Sequence, residues 1–68
     1  MITGERIKKL RKNLGLTQAA LSEKSGVHIN NIRFYESGRY EPTLFNACCL
    51  AKALGVSLDY LAGISDEK

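Results

Sequence analysis

The sequence predicts an all-α fold, a compact domain of five short helices over residues 1–68. Three observations predict it. Apolar residues recur at three- and four-residue spacing, and no stretch alternates apolar with polar residues as a half-buried strand does. Glycines follow each of the first four apolar patterns, where a left-handed residue commonly ends a helix. A chain of 68 residues with 44% hydrophobic content can build one small core and no second domain.

The first two predicted helices are separated by a short turn. The first covers about residues 3–13, and Gly15 follows it as the residue that ends it. The second lies between Thr17, whose hydroxyl suits the N-cap position, and Gly26.

The third predicted helix covers about residues 28–37, and Gly38 ends it. Only Gly26 and Val27 separate it from the second helix. So short a connection makes the two helices cross at a steep angle, and glycine permits a backbone conformation closed to larger residues. This spacing indicates a helix-turn-helix. A short α-hairpin in a purely structural bundle has the same pattern, so both interpretations stay open at this point.

The last two predicted helices begin near Pro42 and near Ser57. Pro42 and Thr43 begin the fourth, which continues to Gly55, and Ser57 caps a short fifth helix. Residues 64–68 form a polar tail. The apolar residues predicted to face the core are Ile7, Leu10, Leu14, Ala20, Leu21, Ile32, Tyr35, Leu44, Ala47, Leu50, Ala51 and Leu54. The short fifth helix contains Leu58 and Leu61.

The net charge of +3 is distributed unevenly. Residues 1–40 hold eight basic and three acidic residues, a net charge of +5, whereas residues 41–68 hold two basic and four acidic residues, a net charge of −2. A basic half joined to a mildly acidic half suits a polyanionic partner on one side only. Ordinary solvated surface charge explains the same distribution and stays open as well.

Catalysis and metal binding find little support in the sequence. The chain has one histidine, no glycine-rich phosphate loop and no serine beside an evident base. Cys48 and Cys49 are adjacent, which prevents a normal disulfide, and they lack the spacing of a metal site. They are interpreted as small apolar residues of the fourth helix, with Cys49 nearer the surface. We therefore expect a binding protein and not an enzyme, with no cofactor and no metal.

Neither the hydropathy nor the N-terminus indicates export or membrane insertion. No apolar run approaches the roughly 20 residues that span a bilayer. The first residues, MITGERIKKLRK, are charged too early and too densely for a secretory signal. We expect no membrane association and a cytoplasmic location.

The third helix carries an unusual set of side chains on its outer face. Amide, imidazole, guanidinium and phenyl groups replace the Glu and Lys that usually cover a solvent-facing helix; they belong to His28, Asn30, Asn31, Arg33 and Phe34. A helix in the major groove needs such groups, because asparagine pairs with adenine, arginine with guanine, and apolar side chains contact thymine methyls. Packing against a neighbouring helix or a partner protein is the alternative for the apolar members.

The order of these features resembles the Cro and lambda-repressor family of helix-turn-helix domains, also called the XRE family, over about residues 4–63. The residues that carry the resemblance are Arg11, Leu16, Thr17, Gln18, Leu21, Gly26, Val27, Ile32, Tyr35, Glu36, Gly38, Pro42, Leu50, Ala51, Leu54, Gly55, Val56 and Leu61. The resemblance implies a sequence-specific DNA-binding transcriptional regulator, typically a repressor, that binds a palindromic operator in double-stranded DNA as a homodimer.

The resemblance also assigns roles to individual residues. It places four residues of the third helix at base edges: Ile29, Asn30, Arg33 and Phe34. It places the following at the DNA backbone: Gln18, Asn31, Gly38, Arg39 and Tyr40. It pairs Arg11 with Glu36 beneath the binding surface. It places a dimer interface at the C-terminal end, formed by Leu58, Tyr60, Leu61 and Ile64.

Three residues depart from the family pattern. His28, counted among the DNA-binding residues, stands where Ser or Thr usually caps the third helix, so either the cap is weaker or Asn31 compensates. Ile29 and Phe34 are apolar where amides or arginine are common. The alternative function is therefore a protein-interaction module, such as an antitoxin or antagonist subunit. An exposed apolar patch at Phe34 and Phe45 would favour that alternative.

Overall fold

A computed structural model describes residues 4–68, and its regular structure over this range consists of helices alone. In chain order they are α1 (Gly4–Asn13), α2 (Gln18–Ser25), α3 (Ile29–Glu36), α4 (Leu44–Leu54) and α5 (Leu58–Leu61). The predicted all-α, five-helix fold is confirmed. The predicted start of the first helix, near residue 3, lies outside the described residues. None of the helices within residues 4–68 is long and apolar enough to cross a membrane.

Side-chain hydroxyls cap three of the helices, and the caps at Thr17 and Ser57 are those that the sequence predicts. The hydroxyl of Thr17 accepts a hydrogen bond from the N–H of Ala20 at 3.0 Å, and that of Thr43 accepts one from Asn46 at 3.1 Å. Ser57 caps α5 in the same way. Each bond satisfies one of the backbone donors that the first turn of a helix leaves unpaired.

The core lies where α1, α3 and α5 meet α2 and α4. Its largest fully buried side chains are Ile7, Leu21, Ile32, Leu50 and Leu61. Two residues predicted for the core are instead exposed, Leu14 to 50% and Leu44 to 72%. Leu14 follows the last residue of α1, outside its helical periodicity. Leu44 is the first residue of α4, and because side chains tilt toward the N-terminus of their helix, it reaches past the bundle.

Helices α1 and α3 approach each other at backbone distance. Gly4 is buried, and a Cβ atom at this position would lie 1.6 Å from the carbonyl oxygen of Tyr35. Only glycine permits this approach. No local sequence pattern indicates this approach, because it joins residues that are remote along the chain.

Polar contacts attach the outer helices to the bundle. The Asn46 amide donates to the Tyr35 hydroxyl at 2.8 Å, which joins α4 to α3. The Arg6 guanidinium donates to the Tyr60 carbonyl at 2.6 Å and lies 4.7 Å from the centre of the Tyr60 ring, which joins α1 to α5. The predicted polar tail folds back, since the N–H of Ser57 donates to the Lys68 carbonyl.

The two cysteines of α4 are placed in the opposite order to the one predicted. Cys48 is exposed, whereas Cys49 is half-buried and packs against the core. The prediction that Cys49 lies nearer the surface is therefore wrong. Cys49 precedes the fully buried Leu50 and lies four residues before the buried Ala53, so the helical repeat turns it partly inward.

Candidate nucleic-acid interface

Residues 26–28 connect α2 to α3 and fix the angle between them. Gly26 has φ of 78°, the left-handed conformation expected of a glycine that ends a helix. Val27 is buried, and both of its backbone polar groups are bonded to serines of α2: Ser22 Oγ donates to its carbonyl at 2.6 Å, and its N–H donates to Ser25 Oγ at 3.1 Å. The turn therefore buries an apolar anchor without leaving its backbone unpaired. The two serines did not stand out in the sequence.

His28 is itself the N-cap of α3. Its Nδ1 atom accepts a hydrogen bond from the N–H of Asn30 at 3.1 Å. An acceptor at Nδ1 requires the tautomer that carries its proton on Nε2. The side chain of Asn31 does not take over this role, and its backbone N–H bonds to the His28 carbonyl. His28 therefore replaces the usual hydroxyl cap, and its exposed ring lies at the first turn of α3.

A buried ion pair holds α3 against α1. Nε of Arg11 donates to Oε2 of Glu36 at 2.7 Å, and Nη2 donates to Oε1 at 3.0 Å, so the guanidinium and carboxylate meet in a two-pronged pair. The two side chains are only 9% and 4% exposed. The pair that the resemblance implies is thus present, with the geometry that gives arginine and carboxylate their strongest contact.

Two further groups complete this arrangement, called here the Glu36 network: Arg11, Glu36, Gln18 and the Leu16 carbonyl. Nη1 of Arg11 donates to Leu16 O at 2.7 Å, and Nε2 of Gln18 donates to Oε1 of Glu36 at 3.1 Å. Hydrogen bonding to Glu36, helped by the negative charge of this carboxylate and opposed by burial, raises the pKa of Arg11. The network ties the turn after α1 and the first residue of α2 to the last residue of α3.

Besides its predicted contact with the DNA backbone, the Gln18 side chain bonds to Glu36, a contact that the sequence did not indicate. Its amide nitrogen has two N–H donors, and the bond to Glu36 uses one of them. The side chain is half-buried, so its remaining N–H is held at the start of α2. A donor held at a helix N-terminus suits an anion such as a phosphate.

The outer face of α3 presents Asn30 and Arg33, which are both exposed. Nη1 of Arg33 donates to Oδ1 of Asn30 at 3.3 Å, so the two predicted base-contacting polar groups lie side by side. Ile29 and Asn31 are half-buried at the edges of this face. The structure therefore brings four of the predicted interface residues onto one short helix.

Phe34 is less free than the sequence suggested. Its ring meets that of Tyr40 edge to face, with centres 5.3 Å apart and planes at 87°. The Arg39 guanidinium lies 5.4 Å from the centre of the Phe34 ring and 5.7 Å from that of Tyr40. We call these three residues the aromatic corner. The turn at Gly38, whose φ is 80°, brings them together, and no periodicity predicts contacts across such a turn.

The predicted dimer interface is only partly exposed. Ile64 is 75% exposed, and Leu58 and Tyr60 are half-buried. Leu61 is fully buried in the core of its own chain. The assignment of Leu61 to a dimer interface is therefore wrong, because a side chain with no exposed surface cannot contact a second chain. Leu61 faces inward because it follows Leu58 by one helical turn, on the side of α5 that packs on α4.

The part of the chain that the structure describes offers no metal centre. Among residues 4–68, no group of three or more His, Cys, Asp or Glu side chains is arranged to hold a metal ion. The polar groups that converge do so at α2 and α3.

Comparison with known proteins agrees with this geometry. The model of the helix-turn-helix family matches residues 7–61, which is most of the chain. The chain belongs to the helix-turn-helix family. This match and the similarity to known repressors confirm the resemblance to Cro and lambda-repressor domains.

Two similar helix-turn-helix proteins are phage repressors. The CTXphi transcriptional repressor RstR of Vibrio cholerae is 37% identical over 59 residues, which cover 87% of this chain and 53% of RstR. The immunity repressor of Bacillus phage phi105 is 36% identical over 63 residues, which cover 93% of this chain and 44% of the repressor. The chain thus spans about half the length of these relatives.

A solved helix-turn-helix structure has the same fold. The P22 c2 repressor, from Salmonella phage P22, is known in complex with a synthetic operator. It aligns with a TM-score of 0.85 and 40% identity, over 96% of this chain and 98% of its own. The arrangement of the helices in this family member is therefore shared almost completely.

Proposed function

We propose that this chain is a sequence-specific DNA-binding transcriptional regulator, a repressor that places α3 in the major groove of double-stranded DNA. The observation that carries the proposal is the exposed pair of Asn30 and Arg33 on α3. The Glu36 network binds this helix to α1 and α2. Base recognition requires hydrogen-bonding side chains on a rigid support, because discrimination depends on their placement against base edges. A purely structural hairpin has no need of such a face.

The charge distribution supports a polyanionic partner. The buried pair of Arg11 with Glu36 cancels internally, so residues 1–40 still present a net charge of +5 to the solvent side. The basic side chains exposed there are Lys8, Lys9, Lys12, Lys24, Arg33 and Arg39. In DNA-binding proteins, contacts between basic side chains and phosphates supply much of the affinity for DNA and set the protein in register, while base contacts supply specificity.

The relatives support repression as the outcome of binding. RstR and the phi105 protein are repressors, and the P22 repressor shares the fold and binds an operator. Their example favours a repressor over an activator here. We also propose that the chain acts on DNA in the cytoplasm, on the bacterial nucleoid. Within this function the chain acts as a binding protein and catalyses no reaction.

Selection from a random double-stranded DNA library tests the proposal. Wild-type protein should enrich one site, and its affinity for that site should fall with salt, with a slope of log K against log salt of about −0.9 per neutralised phosphate. A scrambled site is the control and should bind more weakly by about 1000-fold or more. Absence of salt-dependent binding to any DNA would overturn the proposal.

Replacement of Asn30 and of Gln18 should separate base contact from phosphate contact. Asn30→Ala should remove about 2 kcal/mol of discrimination at one base position per half-site, because asparagine can form two bonds to an adenine edge. Gln18→Ala should weaken binding by the same factor on every sequence, since phosphates carry no sequence information. Affinities for all single-base variants at one salt concentration measure both. If Asn30→Ala keeps the wild-type preference at every base, Asn30 does not contact bases.

We further propose that the chain binds its site as a homodimer through the exposed end of α5. Ile64, at 75% exposure, and the half-buried Leu58 and Tyr60 form the apolar part of that end. Two-fold symmetry then requires a palindromic site whose halves lie about one helical turn apart, roughly 34 Å. The corrected interface omits Leu61.

Ile64→Lys tests the dimer. At a protein concentration that gives wild-type complexes of two chains per site, Ile64→Lys should give complexes with a single chain, because it places a charge where apolar surfaces meet. Light scattering with operator DNA measures the stoichiometry. Leu44→Lys is a matched control, since Leu44 is 72% exposed and belongs to α4, whereas Ile64 follows α5. Two chains per site with Ile64→Lys would exclude this interface.

A second function, binding of a protein partner, is favoured by one observation. Phe45 is 76% exposed and Leu44 72% exposed, and Cys48, also exposed, follows them on α4. Contiguous apolar residues at a surface commonly mark an interaction site. Phe34, the other residue of the expected patch, is occupied within the aromatic corner, which weakens the case. This function becomes the leading proposal if the DNA selection finds no site.

A further inference from the structure

The aromatic corner contains an arginine whose side chain lies against two rings and makes no hydrogen bond within residues 4–68. Within residues 4–68, the Arg39 side chain contacts the Phe34 and Tyr40 rings at 5.4 and 5.7 Å and donates to no protein acceptor. It also lies within ion-pair distance of no carboxylate in that range. A guanidinium has five N–H donors, and cation–π contacts use none of them in conventional hydrogen bonds. Its donors are therefore free for an anion.

The end of α3 does not compete for this guanidinium. The last carbonyls of a helix attract cations, and Phe34 O is one of them. This oxygen already accepts hydrogen bonds from the N–H of Arg39 at 2.9 Å, the N–H of Tyr40 at 3.4 Å and the Ser37 hydroxyl at 3.0 Å. The same bonds fix the backbone of the turn. The fixed backbone of the turn thus keeps the Phe34 and Tyr40 rings in contact, and the Arg39 guanidinium lies against both rings.

We propose that Phe34 and Tyr40 are positioning residues that hold the Arg39 guanidinium at the rim of the α3 face, ready to bind a DNA backbone phosphate. The inference rests on the proposed function and deepens it. Phe34 lies one helical turn after Asn30, so its ring brings Arg39 to the end of the face that presents Asn30 and Arg33. Phe34 then acts through Arg39 and does not contact thymine methyls.

The ring contacts should strengthen phosphate binding because they preorganise the Arg39 side chain. A free arginine side chain loses much rotamer freedom when it binds, and a contact that restricts it beforehand reduces that cost. The guanidinium geometry also matches two phosphate oxygens at once. Replacing either ring by a branched aliphatic side chain should therefore release Arg39 and weaken binding without altering base preference.

A double-mutant cycle on the selected operator tests the inference. Arg39→Ala, Phe34→Leu and Tyr40→Leu should each weaken binding, by about 3- to 10-fold, to every single-base variant alike. Arg39→Ala should also reduce the salt slope by about 0.9, the loss of one phosphate contact. Phe34→Leu in the Arg39→Ala background should add almost no further loss, because it acts through the missing side chain.

Conservative and matched variants complete the design. Phe34→Tyr and Tyr40→Phe keep both rings and should bind within about twofold of wild type. Phe45→Leu makes the same change in a phenylalanine that is 76% exposed and outside the corner, so it should leave affinity and salt slope unchanged. In the free protein, NMR should show ring-current shifts of the Arg39 side-chain protons, which Phe34→Leu and Tyr40→Leu should remove.

The possible outcomes separate this inference from the function on which it rests. If the wild type binds an operator but the effects of Phe34→Leu and Arg39→Ala are additive, or Phe34→Leu changes the preference at one base, Phe34 does not act through Arg39 and the inference is wrong. Unchanged affinity in both ring variants would overturn it equally. If Phe34→Leu does not fold, the exposed Tyr40→Leu carries the same cycle. A wild type that binds no DNA would overturn the proposed function and this inference together.

Discussion

We expect Glu36→Ala to lower the free energy of unfolding by about 3–5 kcal/mol, the cost of leaving a buried charge without its partner. Arg11 would stay buried with one hydrogen bond, to the Leu16 carbonyl, and Gln18 would lose its acceptor. A domain of this size has a total stability of about 3–10 kcal/mol, so the variant should be largely unfolded at ordinary temperature or melt more than about 12 °C lower. Thermal and urea melts followed by circular dichroism measure the loss.

Matched variants distinguish the buried pair from ordinary surface charge. Glu23→Ala removes an exposed carboxylate from α2 and should change stability by less than about 0.5 kcal/mol. Glu36→Gln keeps an acceptor oxygen for Arg11 and should cost less than Glu36→Ala. Arg11→Ala should cost about as much as Glu36→Ala, since it leaves a buried carboxylate. Melting temperatures for both alanine variants within a degree or two of wild type would show that the pair contributes little.

The double variant Arg11→Met with Glu36→Leu separates stability from function. Replacing a buried ion pair by apolar side chains of similar size is often neutral or stabilising, so the double variant should recover most of the lost stability. It would not restore the acceptor that holds the Gln18 amide. We therefore expect the double variant to fold but to bind DNA more weakly than wild type, by the same factor on every sequence. Recovery of both stability and DNA affinity would show that Gln18 needs no orientation by Glu36.

Features that depend on residues near in sequence were predicted well. The caps at Thr17 and Ser57 need only a hydroxyl and an N–H three residues further on. Helical spacing placed Ile32 and Tyr35 in the core, where both are buried. Such features follow from local geometry, so the sequence of this one chain suffices to predict them.

Features that depend on contacts across turns were missed. Phe34 and Tyr40 meet only because of the turn at Gly38, and periodicity along α3 alone leaves Phe34 on the groove face. The Gln18 amide reaches Glu36 across two helices, and the sequence indicated only the Arg11 partner. Leu61 was assigned to a surface by position in the family, and the structure buries it in the core. The burial of Leu61 depends on how α5 packs on α4, a contact between helices that no local pattern predicts.

Gly4 is a further residue whose contact crosses between helices, and its replacement should have a large effect on stability. In an exposed helix, Gly→Ala stabilises by up to about 1 kcal/mol, because alanine loses less backbone freedom on folding. At Gly4 we expect the opposite sign, a loss of about 3 kcal/mol, the upper end of typical overpacking costs. The new Cβ would lie 1.6 Å from Tyr35 O and 2.5 Å from Tyr35 C, and backbone atoms cannot move aside as a flexible side chain can.

The clash must be relieved by moving the start of α1 away from the end of α3. Ile7, fully buried one turn later, and Arg11, paired with Glu36, would be drawn outward with it. Gly4→Ala should therefore lower the melting temperature by more than about 12 °C and also weaken operator binding, because Glu36 adjoins the displaced backbone. Lys8→Ala, an exposed change in the same helix, is the control and should shift stability by less than about 0.5 kcal/mol. A Gly4→Ala variant as stable as wild type, or more so, would mean that α1 and α3 do not approach at backbone distance.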